Sequence, residues 1–217
     1  MEYMPNFKLH RPKSKDEAAQ IKNESSDSLF VAGGTDMIVN VRRGIEQPHH
    51  LIDLSDIAEV KEISQDKSEL VIGSGVTLNS LANSEKIKSD YPAIADAALS
   101  IAGSTHQQYG TVGGNLCLDT RCLFYNQSEW WRQSNDYCMK ERGEICHVAP
   151  GGKRCFAAFS GDLAPAMLVY NAEVKIHGPN GVRQLALQDL YRNDGMNHLT
   201  LESNELIASI HLSNNLA

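Results

Sequence analysis

The sequence predicts a two-lobed α+β protein, and three features indicate this fold class. A short apolar strand pattern at 29–31 runs into Ala32-Gly33-Gly34-Thr35-Asp36 and then into a helical pattern, forming a compact strand–loop–helix unit. Further along, strand patterns lie on both sides of Gly178-Pro179-Asn180-Gly181, whose turn residues predict a hairpin. All five cysteines fall between residues 117 and 155, in a polar stretch that interrupts the larger lobe.

Size and composition narrow the class of protein. At 217 residues the chain fits one large domain or two small ones. Its net charge of −7 argues against nucleic acid as a partner, because no basic stripe is available to neutralise phosphates. The N-terminus does not read as a secretory signal, and no window approaches the ~18 apolar residues of a membrane span. We therefore expect a cytoplasmic protein with reduced cysteines.

Residues 1–56 are expected to form the smaller lobe. Ser14 and Glu17 have the spacing of a capping box, which predicts a helix that carries Ala18, Ala19 and Ile21. The strand at 29–31 follows, and 51–54 is expected to be another strand. Between these strands we expect a helix that ends near Gly44. The apolar side of this helix is expected to carry Met37, Ile38, Val41 and Ile45.

Residues 57–217 are expected to form the larger lobe, with an insertion at 118–158. Residues 103–115 are expected to be a glycine-rich loop. Helices are expected from Thr77 through Leu81, at 93–102 after Pro92, and at 162–168, where Pro165 fits only in the first turn. Strands are expected at 60–63, 70–72, 173–176, 182–187 and 206–210, with a turn at Asp66-Lys67 in the first pair.

Two glycine-rich loops are candidates for an anion site. At 32–36 two glycines would let backbone N–H groups approach a phosphate, and the following helix N-terminus would add a favourable dipole. Thr35 would supply a hydroxyl. From the residues alone, Asp36 is interpreted as a local cap or turn stabiliser, because a carboxylate repels phosphate. The loop at 110–115 repeats this chemistry, so the pair would grip a diphosphate from both sides. For the first loop alone a plain tight turn stays an alternative, and His106 either reaches the same pocket or stays solvated.

Residues 32–36, Thr111–Cys117 and Ser160–Ala166 resemble, in this order, the three signatures of the FAD-binding medium subunit of the xanthine oxidase family. That family includes xanthine, carbon monoxide and aldehyde dehydrogenases. The resemblance covers nearly the whole chain and implies the two-lobed α+β FAD-binding fold shared with vanillyl-alcohol oxidase. It implies that 32–36 and 111–115 hold the diphosphate. Asp119 and Asp162 would line the ribityl or ring side of the flavin. The residues expected to bind FAD are Val31, Ala32, Gly33, Gly34, Thr35, Asp36, Met37, His106, Thr111, Gly113, Gly114, Asn115, Asp119 and Asp162.

The cysteines suggest a soft metal centre, but their spacing does not identify one. Cys122, Cys138, Cys146 and Cys155 match neither the C-x₂-C-x₂-C run of ferredoxins nor a zinc knuckle. From the residues alone, four thiolates on irregular loops could hold zinc, with His147 as a further ligand, or iron and sulfide. Unligated buried thiols are the third alternative. Trp130 and Trp131 would either shield such a centre from water or pack against a partner subunit.

The cysteine-bearing insertion is similar to that of the 4-hydroxybenzoyl-CoA reductase beta subunits, which carry an additional 4Fe–4S cluster. The resemblance implies Cys122, Cys138, Cys146 and Cys155 as the cluster ligands and leaves out Cys117, which belongs to the glycine-loop signature. It further implies a subunit that binds FAD and a 4Fe–4S cluster and transfers electrons. Its partners would be a ferredoxin-like donor or acceptor, a 2Fe–2S small subunit and a molybdopterin-binding large subunit.

Two other functions stay open at this stage. One is an FAD subunit of an aldehyde, xanthine or carbon monoxide dehydrogenase that works in the oxidative direction. The other is a zinc-stabilised interaction module that does not bind flavin. No Ser-His-Asp or Cys-His arrangement predicts independent catalysis, so we expect substrate chemistry on a partner subunit. The C-terminal domain that usually follows the strand at 206–210 is expected to be absent.

Overall fold

The computed structural model describes residues 4–65 and 68–214, and the structural statements below refer to that part of the chain. The expected turn at Asp66-Lys67 lies outside it. The described residues form a mixed α/β fold with two sheets. The helices are α1 Lys15–Glu24, α2 Met37–Arg42, α3 Leu78–Asn83, α4 Glu85–Asp90, α5 Pro92–Ser100, α6 Ser104–Tyr109, α7 Val112–Leu116, α8 Glu129–Ser134 and α9 Leu163–Val169. The strands are β1 Lys8–His10, β2 Ser28–Val31, β3 His50–Asp53, β4 Ile63–Gln65, β5 Glu69–Gly73, β6 Glu173–Gly178, β7 Gly181–Ala186 and β8 Leu206–Ser213.

The first sheet is parallel and has the order β1-β3-β2. α1 packs beside it and begins as predicted, because the Ser14 hydroxyl accepts a hydrogen bond from the Glu17 N–H at 3.1 Å. Ala18 on this helix packs in a small core with Ile52 of β3. The chain leaves β2 at its carboxyl end, and the first glycine loop therefore lies at one edge of this sheet.

α2 ends near Gly44 as predicted, but Ile45 is not part of it. Gly44 has a φ of +69°, which terminates the helix, and the Ile45 N–H then bonds to the Asn40 carbonyl at 3.0 Å. Ile45 therefore lies beyond the helix, and its placement on the apolar side of α2 is wrong. Val41, the other late apolar residue, is inside the helix and fully buried.

The second sheet is antiparallel and has the order β4-β5-β8-β6-β7. β6 and β7 form the predicted hairpin, in which Gly178 pairs with Gly181. β8 is the central strand and extends three residues past the predicted 206–210. The predicted strand at 60–63 is mostly wrong, because Val60 belongs to a 3₁₀ turn at Ala58–Val60 that buries its side chain in the smaller core.

Helices α3, α5, α7 and α9 contribute buried residues to the main core, which they share with β5, β6 and β8. Thr77 caps α3 as predicted, since its hydroxyl accepts from the Ser80 N–H at 3.1 Å. Residues 103–115 are not the predicted loop but contain α6 and α7. Val112 and Leu116 are fully buried there, so burial outweighs the low helix propensity of the two glycines between them. Among the described residues, no helix combines the length and apolar character needed to cross a bilayer.

Candidate functional site

Two cavities adjoin at the glycine loops. The first, which we call the loop cavity, has a volume of about 380 Å³ and lies between the two loops. The second, which we call the sheet cavity, has a volume of about 580 Å³ and extends toward Val60, Leu201 and Ile207. The residues that line both cavities are Phe30, Ala32, Gly33, Thr111, Gly114 and Cys117. The glycine loops therefore form a waist with open space on each side.

The structure brings the predicted FAD-binding residues together. Gly113 lines the sheet cavity, and all the others line the loop cavity. His106 lies on α6 and lines the loop cavity. It is also exposed, so its ring has access to both the cavity and solvent. The individual contacts of these residues with a ligand stay a prediction.

The first loop offers free donors. Within residues 4–65 and 68–214, no hydrogen bond uses the backbone N–H groups of Gly33, Gly34, Thr35, Asp36 or Met37. Gly34 has a φ of +69°, a conformation that glycine adopts without steric cost. Successive N–H groups left open beside a cavity are suited to an anion, because otherwise each would lack a partner.

The second loop is built differently. Its N–H groups from Val112 to Asn115 already donate within the chain, to the Val76 carbonyl, the Ser74 carbonyl, the Thr111 hydroxyl and the Thr111 carbonyl. The Asn115 side chain accepts from the Leu163 N–H at 3.0 Å and so ties this loop to the start of α9. The second loop therefore provides a fixed wall, whereas the first loop provides most of the open donors.

The two loops touch at Gly33. A Cβ placed on this glycine would lie 1.8 Å from the Tyr109 carbonyl oxygen and 2.4 Å from the Tyr109 carbonyl carbon. These are backbone atoms at the end of α6, just before the second loop. A side chain at position 33 would force the two loops apart.

Charged groups surround the loop cavity. Asp36 does not cap α2 with its side chain, which corrects the prediction, and it instead forms an ion pair with Arg121 at the start of the insertion. Burial raises the pKa of the Glu46 carboxyl, and the nearby Asp119 carboxylate adds to this effect, while Lys140 opposes it. The acidic side chains of this cavity are therefore partly neutralised by cations of the insertion.

Cys117 lies at the waist, apart from the other cysteines. It lines both the loop cavity and the sheet cavity. Although part of the residue is exposed, protein atoms enclose the thiol, and this burial raises its pKa to about 12. At neutral pH the thiol is therefore protonated and a poor metal ligand.

The other four cysteines line one small cavity, which we call the cysteine cavity. They are Cys122, Cys138, Cys146 and Cys155, all with free thiols. None of the four lies in a helix or strand. The enclosed volume is about 10 Å³, roughly one water, so a larger occupant requires these loops to open outward. The other lining residues are Phe124, Tyr125, Met139, Lys140 and His147.

The four thiols are not electrostatically equivalent. Burial raises the pKa of Cys138 and of Cys155, and in the case of Cys155 the charge of Lys140 acts in the opposite sense. The pKa of Cys146 is lowered, because backbone N–H groups that point at its sulfur outweigh its burial. Such N–H groups stabilise a thiolate, the form in which cysteine binds a metal.

The described residues contain no group of three or more His, Cys, Asp or Glu side chains arranged to hold a single metal ion. His147 lines the cysteine cavity, but its Nε2 lies 2.5 Å from the Tyr137 carbonyl oxygen. The four thiols thus share a cavity without converging on one point.

A buried arginine joins the predicted insertion to the segment that follows α2. Arg132 of α8 is 1% exposed, and its guanidinium donates to the Gly44 carbonyl at 3.3 Å. It also forms ion pairs with Glu129 at 2.7 Å and Glu141 at 2.9 Å. Trp131 packs against Phe124 of the cysteine cavity, whereas Trp130 is 73% exposed.

Comparison with known proteins identifies the family. Residues 5–214 match the family described as the FAD binding domain in molybdopterin dehydrogenase, and the chain belongs to it. The sequence is 30% identical to the aldehyde oxidoreductase FAD-binding subunit PaoB of Escherichia coli K12, over 96% of this chain and 69% of the relative. It is 27% identical to the carbon monoxide dehydrogenase medium chain of Hydrogenophaga pseudoflava, over 96% of this chain and 59% of the relative.

Solved structures agree with the fold. A carbon monoxide dehydrogenase structure from Hydrogenophaga pseudoflava superimposes with a TM-score of 0.74 at 26% identity, covering 97% of this chain and 60% of the other. The chain thus contains the FAD-binding domain found in medium subunits of the xanthine oxidase family of molybdenum hydroxylases, and the predicted fold class is confirmed. It spans more than half of the length of these relatives, so the activity, substrate and partners of the whole enzyme are proposals.

The sequence analysis missed several residues of the site. Among them, Glu46 and Arg121 line the loop cavity, and Tyr109 lines the sheet cavity. Lys140 lines the cysteine cavity and pairs with Asp119, which lines the loop cavity. Arg121 and Lys140 lie in the cysteine-bearing stretch, but nothing in their spacing indicates a partner. Each becomes recognisable only when the fold places it beside a distant carboxylate.

Proposed function

We propose that the chain is the FAD and 4Fe–4S electron-transfer subunit of a molybdenum-containing enzyme of the 4-hydroxybenzoyl-CoA reductase type. It would relay electrons between a ferredoxin-like donor or acceptor and partner subunits that carry 2Fe–2S and molybdopterin. The observation that carries this proposal is the convergence of four distant cysteines on one cavity, beside the cavities of a flavin domain.

The waist of the two cavities fits the shape of FAD. A dinucleotide has its diphosphate in the middle. Gly33 stands at the waist with space on either side, and the residues of the other open N–H groups, Gly34 to Met37, line the loop cavity next to it. By this proposal the first loop and Thr35 hold the diphosphate, and Thr111 to Asn115 close the site from the other side. Bound flavin takes up or gives away electrons in pairs and exchanges them singly with one-electron centres.

The donor set of the cysteine cavity supports the cluster assignment. Four thiolates are what a 4Fe–4S cluster requires, and the lowered pKa of Cys146 favours its thiolate form. A single zinc ion also binds four thiolates, so metal analysis of the purified protein has to separate the two occupants. A cluster is larger than the space of about 10 Å³ between these thiols, so its binding requires the surrounding loops to open outward.

A second candidate within the same class is an FAD subunit of an aldehyde, xanthine or carbon monoxide dehydrogenase. The relatives favour it, because they include an aldehyde oxidoreductase subunit and a carbon monoxide dehydrogenase medium chain. This candidate explains the flavin cavities but gives the cysteine cavity no role.

Cysteine substitutions test the proposal and separate the two candidates. In anaerobically purified protein, Cys122→Ser, Cys138→Ser, Cys146→Ser and Cys155→Ser should each lower iron and sulfide content while FAD content stays near the wild-type value. Cys117→Ser is the matched control, because its thiol lies outside the cysteine cavity, and it should keep its iron. Equal iron content in all five variants would refute the cluster assignment.

A further inference from the structure

Lys140 lies in the wall between the loop cavity and the cysteine cavity. Its side chain is only 6% exposed, and all three ammonium protons have nearby acceptors. The Nζ donates to the Asp119 carboxylate at 2.7 Å, the Thr120 hydroxyl at 2.6 Å and the Thr120 carbonyl at 3.1 Å. It also lies 4.4 Å from the centroid of the Tyr125 ring. This cation is therefore fixed in position.

The contacts of this lysine extend to both cavities. Asp119, its ion-pair partner, lines the loop cavity, whereas Lys140 and Tyr125 line the cysteine cavity. A chain of hydrogen bonds continues to Cys155. The Thr120 hydroxyl donates to the Gly195 carbonyl at 2.5 Å, and the Gly195 N–H donates to the Cys155 carbonyl at 3.0 Å.

The two members of the pair line different cavities. Lys140 lines the cysteine cavity, and Asp119 lines the loop cavity. A redox centre that gains an electron becomes more negative, so a nearby buried cation favours its reduced form and a nearby anion disfavours it. The Lys140 cation therefore favours reduction of a centre held by the four cysteines, and the Asp119 carboxylate partly offsets this effect.

We propose that Lys140 is a positioning residue that, with Asp119, sets the reduction potential of the cysteine-bound cluster relative to the flavin. This inference rests on the proposed function, since it needs a cluster at the four cysteines. Lys140 would then do more than stabilise the fold, because the reduction potential depends on its positive charge as well as on its shape. A purely structural lysine would stabilise the wall without moving a potential.

The test is a redox titration of the cluster in anaerobic holoprotein, followed by electron paramagnetic resonance. Lys140→Gln should lower the equilibrium constant for cluster reduction about tenfold, which is about 59 mV for a one-electron couple. Lys140→Arg keeps the charge and should stay within about threefold of wild type. Asp119→Asn leaves the lysine uncompensated and should shift the potential upward. The control is Lys153→Gln, which removes an exposed charge of the same insertion and should change little, because water screens it.

The outcomes separate this inference from the proposed function. Iron and sulfide present in the wild type, with an unchanged potential in Lys140→Gln, would overturn the inference and leave the proposed function standing. A shift of the same size in Lys140→Arg would also overturn it, because shape rather than charge would then be responsible. If Lys140→Gln loses its cluster, the opposite shift expected of Asp119→Asn decides the question. Wild-type protein without iron would refute both.

Discussion

The contact between the two glycine loops gives the most demanding test of the flavin site. In Gly33→Ala the new Cβ would meet the Tyr109 carbonyl oxygen at 1.8 Å, where ordinary contact requires at least 3.4 Å. The loops must therefore separate by about 1.6 Å, and neither backbone segment can rotate aside as a side chain would. Overpacking of this kind costs about 1–3 kcal/mol. Because the loops define the waist, we also expect FAD affinity to fall at least tenfold, equal to about 1.4 kcal/mol.

Urea unfolding and a flavin fluorescence titration would measure the two effects. Gly151→Ala is the matched control, because no atom lies within 4 Å of its added Cβ, and its stability should stay within about 0.5 kcal/mol of wild type. If Gly33→Ala unfolds at the wild-type urea concentration and binds FAD with unchanged affinity, the loops do not form the waist of the flavin site.

The remaining predictions concern one hydrogen bond and two thiols. Asn115→Ala removes the acceptor of the Leu163 N–H and should lower the free energy of unfolding by about 1–3 kcal/mol in urea, whereas Asn23→Ala on exposed α1 should change it by less than about 0.5 kcal/mol. Equal stabilities would show that this bond contributes nothing. In metal-free protein, the pH profile of iodoacetamide alkylation should place the midpoint of Cys146 below the ordinary value of 9 and that of Cys117 near 12, because a lowered pKa forms the thiolate at lower pH. Mass spectrometry of each peptide would show whether Cys146 is alkylated at lower pH than Cys117. Alkylation of Cys117 at pH 8 as fast as that of Cys146 would contradict the prediction.

Local chemistry explains why part of the fold could be predicted. The cap at Ser14 and the turn at Gly178–Gly181 depend on residues close together in sequence, and both are confirmed. Pro165 likewise falls in the first turn of its helix, as its missing N–H requires. In these places the local preference and the tertiary structure agree.

Long-range burial explains the errors. The glycine-rich appearance of 103–115 predicts a loop, yet Val112 and Leu116 point into the main core and impose a helix. Val60 has strand propensity but is buried in the smaller core as part of a 3₁₀ turn. Such choices depend on which distant residues pack nearby, and that information is not local.

In the site, too, local features could be predicted from the sequence, whereas long-range contacts could not. Its glycine loops and cysteines could be predicted because their residue types are chemically distinctive. The Ser74 and Val76 carbonyls accept hydrogen bonds from N–H groups of the second loop, so the first loop keeps the free donors. This difference between the loops depends on distant residues and could not be predicted. The Arg121–Asp36 pair joins segments far apart in the chain, and the Lys140–Asp119 pair joins two loops of the insertion. No spacing rule predicts either pair.

Metal and flavin analysis of the anaerobically purified protein tests the central claim most directly. We expect about four iron and four sulfide per chain together with one FAD, and the absorption of both groups in one spectrum. FAD without iron would contradict the cluster assignment and favour the plain dehydrogenase subunit. Zinc without flavin would contradict the electron-transfer function altogether.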